Sequence, residues 1–213
     1  MANAATIYLA VAREDPLTQE PIVLSNFVRL PKRADARRSY EMLLASAVEQ
    51  FAVHGLNVPL DDIARGAGVG SATLYRHFST RQELIVAISA KEFEPLSARG
   101  YELIKTLPPG EAAEEWFRYL LSLIKSKRGL AAAMLAAPAK ETSVVTTLFA
   151  YMEATASLLV DPAKAVGALR SDLRSSEVVR LITAVAFATE PDPPKEIDRV
   201  LALMVDGLRP ASS

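Results

Sequence analysis

Between Ile63 and Tyr75 the chain reads Ile-Ala-Arg-Gly-Ala-Gly-Val-Gly-Ser-Ala-Thr-Leu-Tyr, with glycine at 66, 68 and 70. Two short helices that meet steeply need a small residue where they come closest, a glycine in the turn and apolar residues wedging the pair together. Ala64 is the small residue, Gly68 the turn glycine, and Ile63, Val69 and Leu74 the wedge. Leu74 and Phe78 stand four apart, which puts both on one face of the second helix. Ser71, Thr73, Tyr75, Arg76 and His77 are then left for the outer surface.

The flanking sequence has the same helical character. Tyr40, Leu43, Leu44, Ala47, Val48 and Phe51 follow the spacing of one amphipathic face, and Gly55 stands where a glycine ends a helix. Pro59 suits the first position of the next helix, Asp61 and Asp62 sit in its first turn where the macrodipole favours acids, and Gly66 to Gly68 stop it. A short third helix is expected over 71–77. Thr80-Arg81-Gln82-Glu83 has the form of a capping box and opens a fourth helix running to about Thr106. Beyond Leu107-Pro108-Pro109-Gly110 the pattern predicts helices over 111–127, 129–137, 141–160, 162–170, 176–189 and 194–206, punctuated by Pro138, Pro162 and Pro191-Asp192-Pro193-Pro194. No strand alternation occurs, so the expected class is all-α. Residues 1–28 lack a helical period and read as a flexible extension, or as translation from a start codon upstream of the natural one.

Charge separates the chain into parts. Residues 29–81 hold eight Lys and Arg against five Asp and Glu, which leaves −4 on the rest of a chain whose net charge is −1. No acid occurs between Gly66 and Gln82. A basic segment without acids can be an ordinary solvated face. Joined to the glycine-rich turn and to an outer surface of hydroxyl, phenol, guanidinium and imidazole groups, it points instead to phosphate and base contacts. Arg76 is the candidate for a bidentate guanine contact, Thr73 and Tyr75 for backbone or thymine-methyl contacts, and Arg33, Arg37 and Arg38 for phosphate contacts. Arg81, at the start of the fourth helix, is a further phosphate candidate.

These residues carry a family resemblance. Residues 33–93 resemble the DNA-binding domain of the TetR/AcrR family of bacterial transcriptional regulators. Ala47 to Gly55 is similar to its first helix, Asp62-Ile63-Ala64 and Gly68-Val69 to its second helix and turn, and Thr73-Leu74-Tyr75-Arg76-His77-Phe78 to its recognition helix. Thr80-Arg81-Gln82-Glu83-Leu84 is similar to the start of its connecting fourth helix. The resemblance implies that Thr73, Tyr75 and His77 face DNA and that Arg81 occupies a phosphate-binding position. Two departures stand out. Val58-Pro59 replaces the hydroxyl residue that often opens the second helix, and Gly70 replaces the polar residue that opens the recognition helix. Lys127-Arg128-Gly129-Leu130 and Leu169-Arg170-Ser171-Asp172-Leu173 resemble one subgroup with a regulatory half of this type.

The expected organisation is a flexible extension over 1–28, a three-helix helix-turn-helix DNA-binding domain over 29–93, and a helical effector-binding and dimerisation domain over 94–213. A long fourth helix joins the last two. The resemblance implies a homodimeric, ligand-responsive repressor on a palindromic double-stranded operator. A small apolar effector would take its site from Trp116, Tyr119, Met134, Phe149 and Met152, although large apolar residues are more often core than pocket. The alternative is a helical DNA-binding protein without a small-molecule effector. Stripes of Val178, Leu181, Ile182 and Val185, and of Ile197, Val200, Leu201 and Met204, suit an intersubunit helix bundle.

Enzymatic readings find no footing. There is no cysteine, which removes disulfides, thiolate zinc sites and cysteine nucleophiles, and the only histidines are His54 and His77. Neither a phosphate loop ending in lysine nor a Gly-x-Ser-x-Gly elbow is present. No catalytic residue, metal or cofactor is expected. The chain also lacks the long apolar run of a membrane span, and Met1 to Ala12 lacks the pattern of a signal peptide, so the expected location is the cytoplasm.

Overall fold

The computed structural model describes residues 30–135, 142–189 and 193–210; the extension expected over 1–28 and Pro138 lie outside them. Among the described residues the secondary structure is helix without strand: α1 Ala34–His54, α2 Leu60–Gly66, α3 Ser71–His77, α4 Arg81–Thr106, α5 Pro109–Ser126, α6 Arg128–Leu135, α7 Thr142–Ala165, α8 Ser175–Ala188 and α9 Pro194–Leu208. They gather into two compact units. The first takes residues 30–94, 127–135 and 142–148, the second residues 95–126, 149–189 and 193–210, and α4 and α7 each contribute to both.

In the first unit α1 packs on α2, α3 and α6, and α2 packs on α3. Leu43, Leu44, Ala47 and Phe51 of α1 are buried with Ile63, Ala64, Leu74, Phe78, Leu84 and Ile88. The alternation of three and four between the α1 residues is what lets one helix supply so continuous an inner face. Two details of the packing escape periodicity. The Ser46 hydroxyl donates to the Ile63 carbonyl at 2.9 Å in the interior, and a Cβ on Gly66 would stand 2.6 Å from that same hydroxyl oxygen. α1 and α2 therefore touch through Ser46 and Gly66 as well as through Ala64. Gly129 at the start of α6 plays a similar part, since a Cβ there would lie 2.7 Å from the Ala52 Cβ and 3.0 Å from its Cα. Ion pairs of Lys91 with Glu41 and of Lys127 with Glu92 add ties within this unit.

In the second unit α5 and α8 pack along each other, with α9 against α8. Trp116, Phe117, Leu120 and Ile124 of α5 are buried, as are Val178, Val179, Ile182 and Ala186 of α8. Trp116 is wholly inaccessible, and its indole N–H donates to the Leu96 carbonyl at 3.2 Å. Lys125 reaches past the end of α8, where its ammonium donates to the Thr189 carbonyl at 3.1 Å and hydroxyl at 3.3 Å. A cation at the negative end of a helix dipole, satisfying a terminal carbonyl, closes that end in two ways at once.

The main departure from the expected helices is at Pro162. Separate helices over 141–160 and 162–170 are in fact one, α7, which carries Pro162 inside it and ends at Ala165. Proline within a helix costs about 3 kcal/mol through a lost hydrogen bond and a clash with the preceding turn. Here it falls in the last turn, and Leu159, Val160 and Ala163 on either side are buried, so the apolar face continues through it. The stop comes from Gly167 at φ 72, where the Ala168 N–H donates to the Ala163 carbonyl and the Gly167 N–H to the Lys164 carbonyl. That pair of bonds is a Schellman ending, which needs a residue at ease with positive φ. Smaller differences occur elsewhere. Pro59 precedes α2 as its N-cap rather than opening it, and the described part of the helix expected over 129–137 ends at Leu135.

Candidate nucleic-acid interface

The turn between α2 and α3 is built by the same ending. Gly68 has φ 68; its N–H donates to the Arg65 carbonyl and the Val69 N–H to the Ala64 carbonyl, both at 3.0 Å. The Gly68-Val69 pair thus reverses the chain within two residues and carries Val69 back toward the apolar end of α2. α3 restarts at Ser71 behind Gly70, in extended conformation.

On α3 only Leu74 is buried, with Phe78 just past its end. Ala72, Tyr75 and Arg76 are exposed, and Ser71, Thr73 and His77 are half-buried at the margins of that exposed arc. Tyr75, at 49% relative exposure, presents its ring and hydroxyl to solvent on that arc. Ala72 was not singled out in the sequence, yet it lies beside Arg76 in the centre of the arc. Its spacing of four from Arg76 is the signal that places it on the same face.

His77 is held partly inward. Its ring meets the buried Tyr40 ring edge-on at 5.9 Å between centroids and 73° between planes, and lies 6.2 Å from Phe78. Burial first, and the neighbouring Arg76 guanidinium second, push the imidazole below the ordinary histidine range. At neutral pH it is therefore a neutral donor and acceptor. Burial, reinforced by Glu41, pushes the Tyr40 hydroxyl up to about 12, so it keeps its proton throughout.

The basic candidates fall into three settings. Arg37 and Arg38 are exposed on the first turns of α1. Arg33, the N-cap residue of α1, is exposed and pairs with Asp35 at 3.2 Å, a contact that surface screening keeps weak. Arg81 is half-buried, and its Nη1 donates to the Leu56 carbonyl in the loop between α1 and α2. One of its donors is thus committed to the fold, with others left for a phosphate. The expected capping interaction beside it is present in shifted form: the Glu83 N–H donates to the Thr80 hydroxyl at 3.2 Å, while the Glu83 carboxylate accepts from the Ser79 N–H at 2.7 Å.

The suggested effector residues divide differently. Trp116 and Met152 are buried, while Tyr119 and Phe149 are half-buried, all in the second unit. Met134 belongs to α6 in the first unit, and its side chain lies outside the described residues. Among the described residues no helix is long and apolar enough to cross a membrane.

Comparison with known proteins agrees with this arrangement. Residues 43–88 match the family described as bacterial regulatory proteins, tetR family, and residues 108–210 match the SbtR-like transcriptional regulator C-terminal domain. The crystal structure of the TetR transcriptional regulator SCO0520 from Streptomyces coelicolor is 36% identical, with a TM-score of 0.59 over 81% of this chain and 99% of that one. The TetR transcription regulatory protein from Mycobacterium vanbaalenii is 31% identical, with a TM-score of 0.55 over 84% of this chain and 100% of that one. The uncharacterized HTH-type transcriptional regulator TtgW of Pseudomonas putida is 34% identical over 64 residues, which span 30% of this chain and 48% of that protein. With a helix-turn-helix over α2 and α3, both parts of the chain matched, and a relative of this identity covered almost end to end, the chain belongs to the TetR family of DNA-binding transcriptional regulators.

Proposed function

We propose that the protein is a homodimeric, ligand-responsive repressor in the cytoplasm, reading a palindromic operator through α3. The observation that carries the DNA-reading part is the outer face of α3. Ser71, Thr73, Tyr75, Arg76 and His77 surround an exposed alanine without an acid among them, while Leu74 anchors the helix from behind. Arg33, Arg37, Arg38 and Arg81 supply phosphate contacts, which position the helix without carrying sequence information.

The dimer rests on the last two helices. Val178, Ile182 and Leu201 of the expected stripes serve their own unit, but Leu181 is 41% exposed and Leu203, beside the other stripe, 63% exposed. Exposed leucines on two adjacent amphipathic helices suit burial against a second copy. Two recognition helices must then stand about 34 to 36 Å apart to enter successive major grooves. An effector releases such an operator only if it favours the non-binding state by several kcal/mol. Tyr119 and Phe149, half-buried in the second unit, are the residues best placed to line its site. The second reading, a regulator without an effector, draws on Trp116, whose ring is fully buried and whose N–H is already satisfied.

Selection from randomised duplex DNA, paired with light scattering at micromolar protein, tests the proposal. Two inverted half-sites about one turn apart and a dimeric mass are expected. A single half-site with a monomeric mass would refute the dimeric mode. Melting against a panel of small apolar compounds separates the two readings, since an effector must raise the melting temperature and weaken operator binding together.

A further inference from the structure

The Arg76 side chain is already engaged before any partner arrives. Its Nη2 donates to the Thr73 hydroxyl at 2.9 Å, and its Nε donates to the Ala72 carbonyl at 3.3 Å. A guanidinium is a planar fork of five N–H donors. Nε and Nη2 share one side of that plane, so both bonds consume the same edge. The end-on pair formed by Nη1 and the second hydrogen of Nη2 remains for a partner outside the helix. Two parallel N–H groups of that kind match O6 and N7 of guanine in the major groove. Any residue at position 72 would supply the carbonyl; only the side chain at 73 supplies the hydroxyl.

We infer that Thr73 is a specificity-determining residue that acts through Arg76: its hydroxyl holds the guanidinium by one edge, so that the other edge is presented to guanine in a fixed orientation. This rests on the reading of Arg76 as a base contact. An arginine on a free stem spreads over many rotamers and reaches phosphate as easily as a base, which keeps affinity and loses discrimination. One held at two points loses less freedom on binding, and the saving falls on the geometry it already has.

The inference is tested by duplex selections and titrations with T73V, T73S, R76A and the double variant T73V/R76A in the full-length protein. R76A should lose guanine preference at one position of each half-site. T73V, which keeps the shape of threonine without the hydroxyl, should lower preference at that same position by about 2- to 10-fold, the effect of leaving one long side chain unordered. T73S should retain the preference, and T73V/R76A should match R76A there. Should T73V melt early, T73A serves in its place. The inference is overturned if the hydroxyl-free variants discriminate like the wild type, if they weaken all sequences alike, or if they change base preference in the R76A background. If R76A itself leaves every base preference intact, the base-reading role of Arg76 fails, and this inference with it.

Discussion

The two units of the molecule combine close helix contacts and large buried groups in different proportion. The first brings α1 onto its neighbours at points with no room for a side chain, Gly66 against Ser46 and Gly129 against Ala52, and buries Phe51 and Phe93 among mostly aliphatic groups. The second has one such contact, where a Cβ on Gly110 would lie 2.8 Å from the Ala168 Cβ, and holds Trp116, Phe117 and Tyr151 among the largest buried side chains. Small-residue contacts fix the distance and crossing of helices, as a module with a rigid outer face requires. A core of large apolar side chains fixes volume instead, and tolerates other volumes when its members are exchanged together.

The largest effect should come from the second unit. Trp116→Ala removes a fully buried indole and its bond to the Leu96 carbonyl, and should lower stability by about 3 to 5 kcal/mol. Trp116→Phe keeps most of the ring and should cost far less. Denaturant midpoints at constant slope measure both. A loss below about 1 kcal/mol for the alanine variant would mean that empty space around Trp116 already exists. That result would favour Trp116 as an effector contact.

An intermediate effect is expected at the helix crossing of the first unit. Gly66→Ala places a methyl against the Ser46 hydroxyl and should cost about 1 to 3 kcal/mol, the usual range for overpacking. Ser46→Ala alone should cost about 1 kcal/mol, because the Ile63 carbonyl still accepts from the Ala67 N–H at 2.9 Å. The double variant should then be less destabilised than the sum, since removing the hydroxyl makes room for the methyl. Simple additivity in thermal or chemical unfolding would show that the two residues do not meet in the way described.

Much of this was legible in the sequence, and the reasons are local. The start and end of α3, the glycine ending of α1 and the Gly68-Val69 reversal follow from periodicity and from the demand for positive φ, both written within a few neighbouring residues. The Ser46 contact with Gly66 was not legible, because helical spacing says which face is inward and not which residue it meets. The packing of α6 on α1 was not legible for the same reason: residues 127–135 and 142–148 fall within the C-terminal domain match and yet group by contact with the first unit. Gly129 at the head of a short apolar run was the available signal. Pro162 misled because a local rule met a longer apolar face. An effector site is not legible in this way, since a pocket is a space between elements and leaves no period in the chain.

The smallest effect concerns His77, and it separates the first unit as a folded object from the first unit as a DNA reader. Burial against Tyr40 and the nearby Arg76 lower the pKa of this histidine in the folded protein. The unfolded chain therefore binds its proton more readily near the ordinary histidine value of about 6.5. The stability that this group contributes is complete above that value and is lost as pH falls through it toward the lower folded value. Tyr40, at about 12, stays protonated and takes no part. The free protein should thus be slightly less stable at pH 5.5 than at pH 7.5, and His77→Gln should flatten that part of the slope. Operator affinity should move the other way, because a protonated imidazole beside phosphate adds a favourable charge that counterion release makes salt-dependent. Parallel measurements of unfolding and operator binding across this range, on wild type and His77→Gln, decide the matter. If the substitution flattens the stability slope and leaves the binding slope unchanged, His77 belongs to the packing of α3 against α1 and not to the DNA-facing surface.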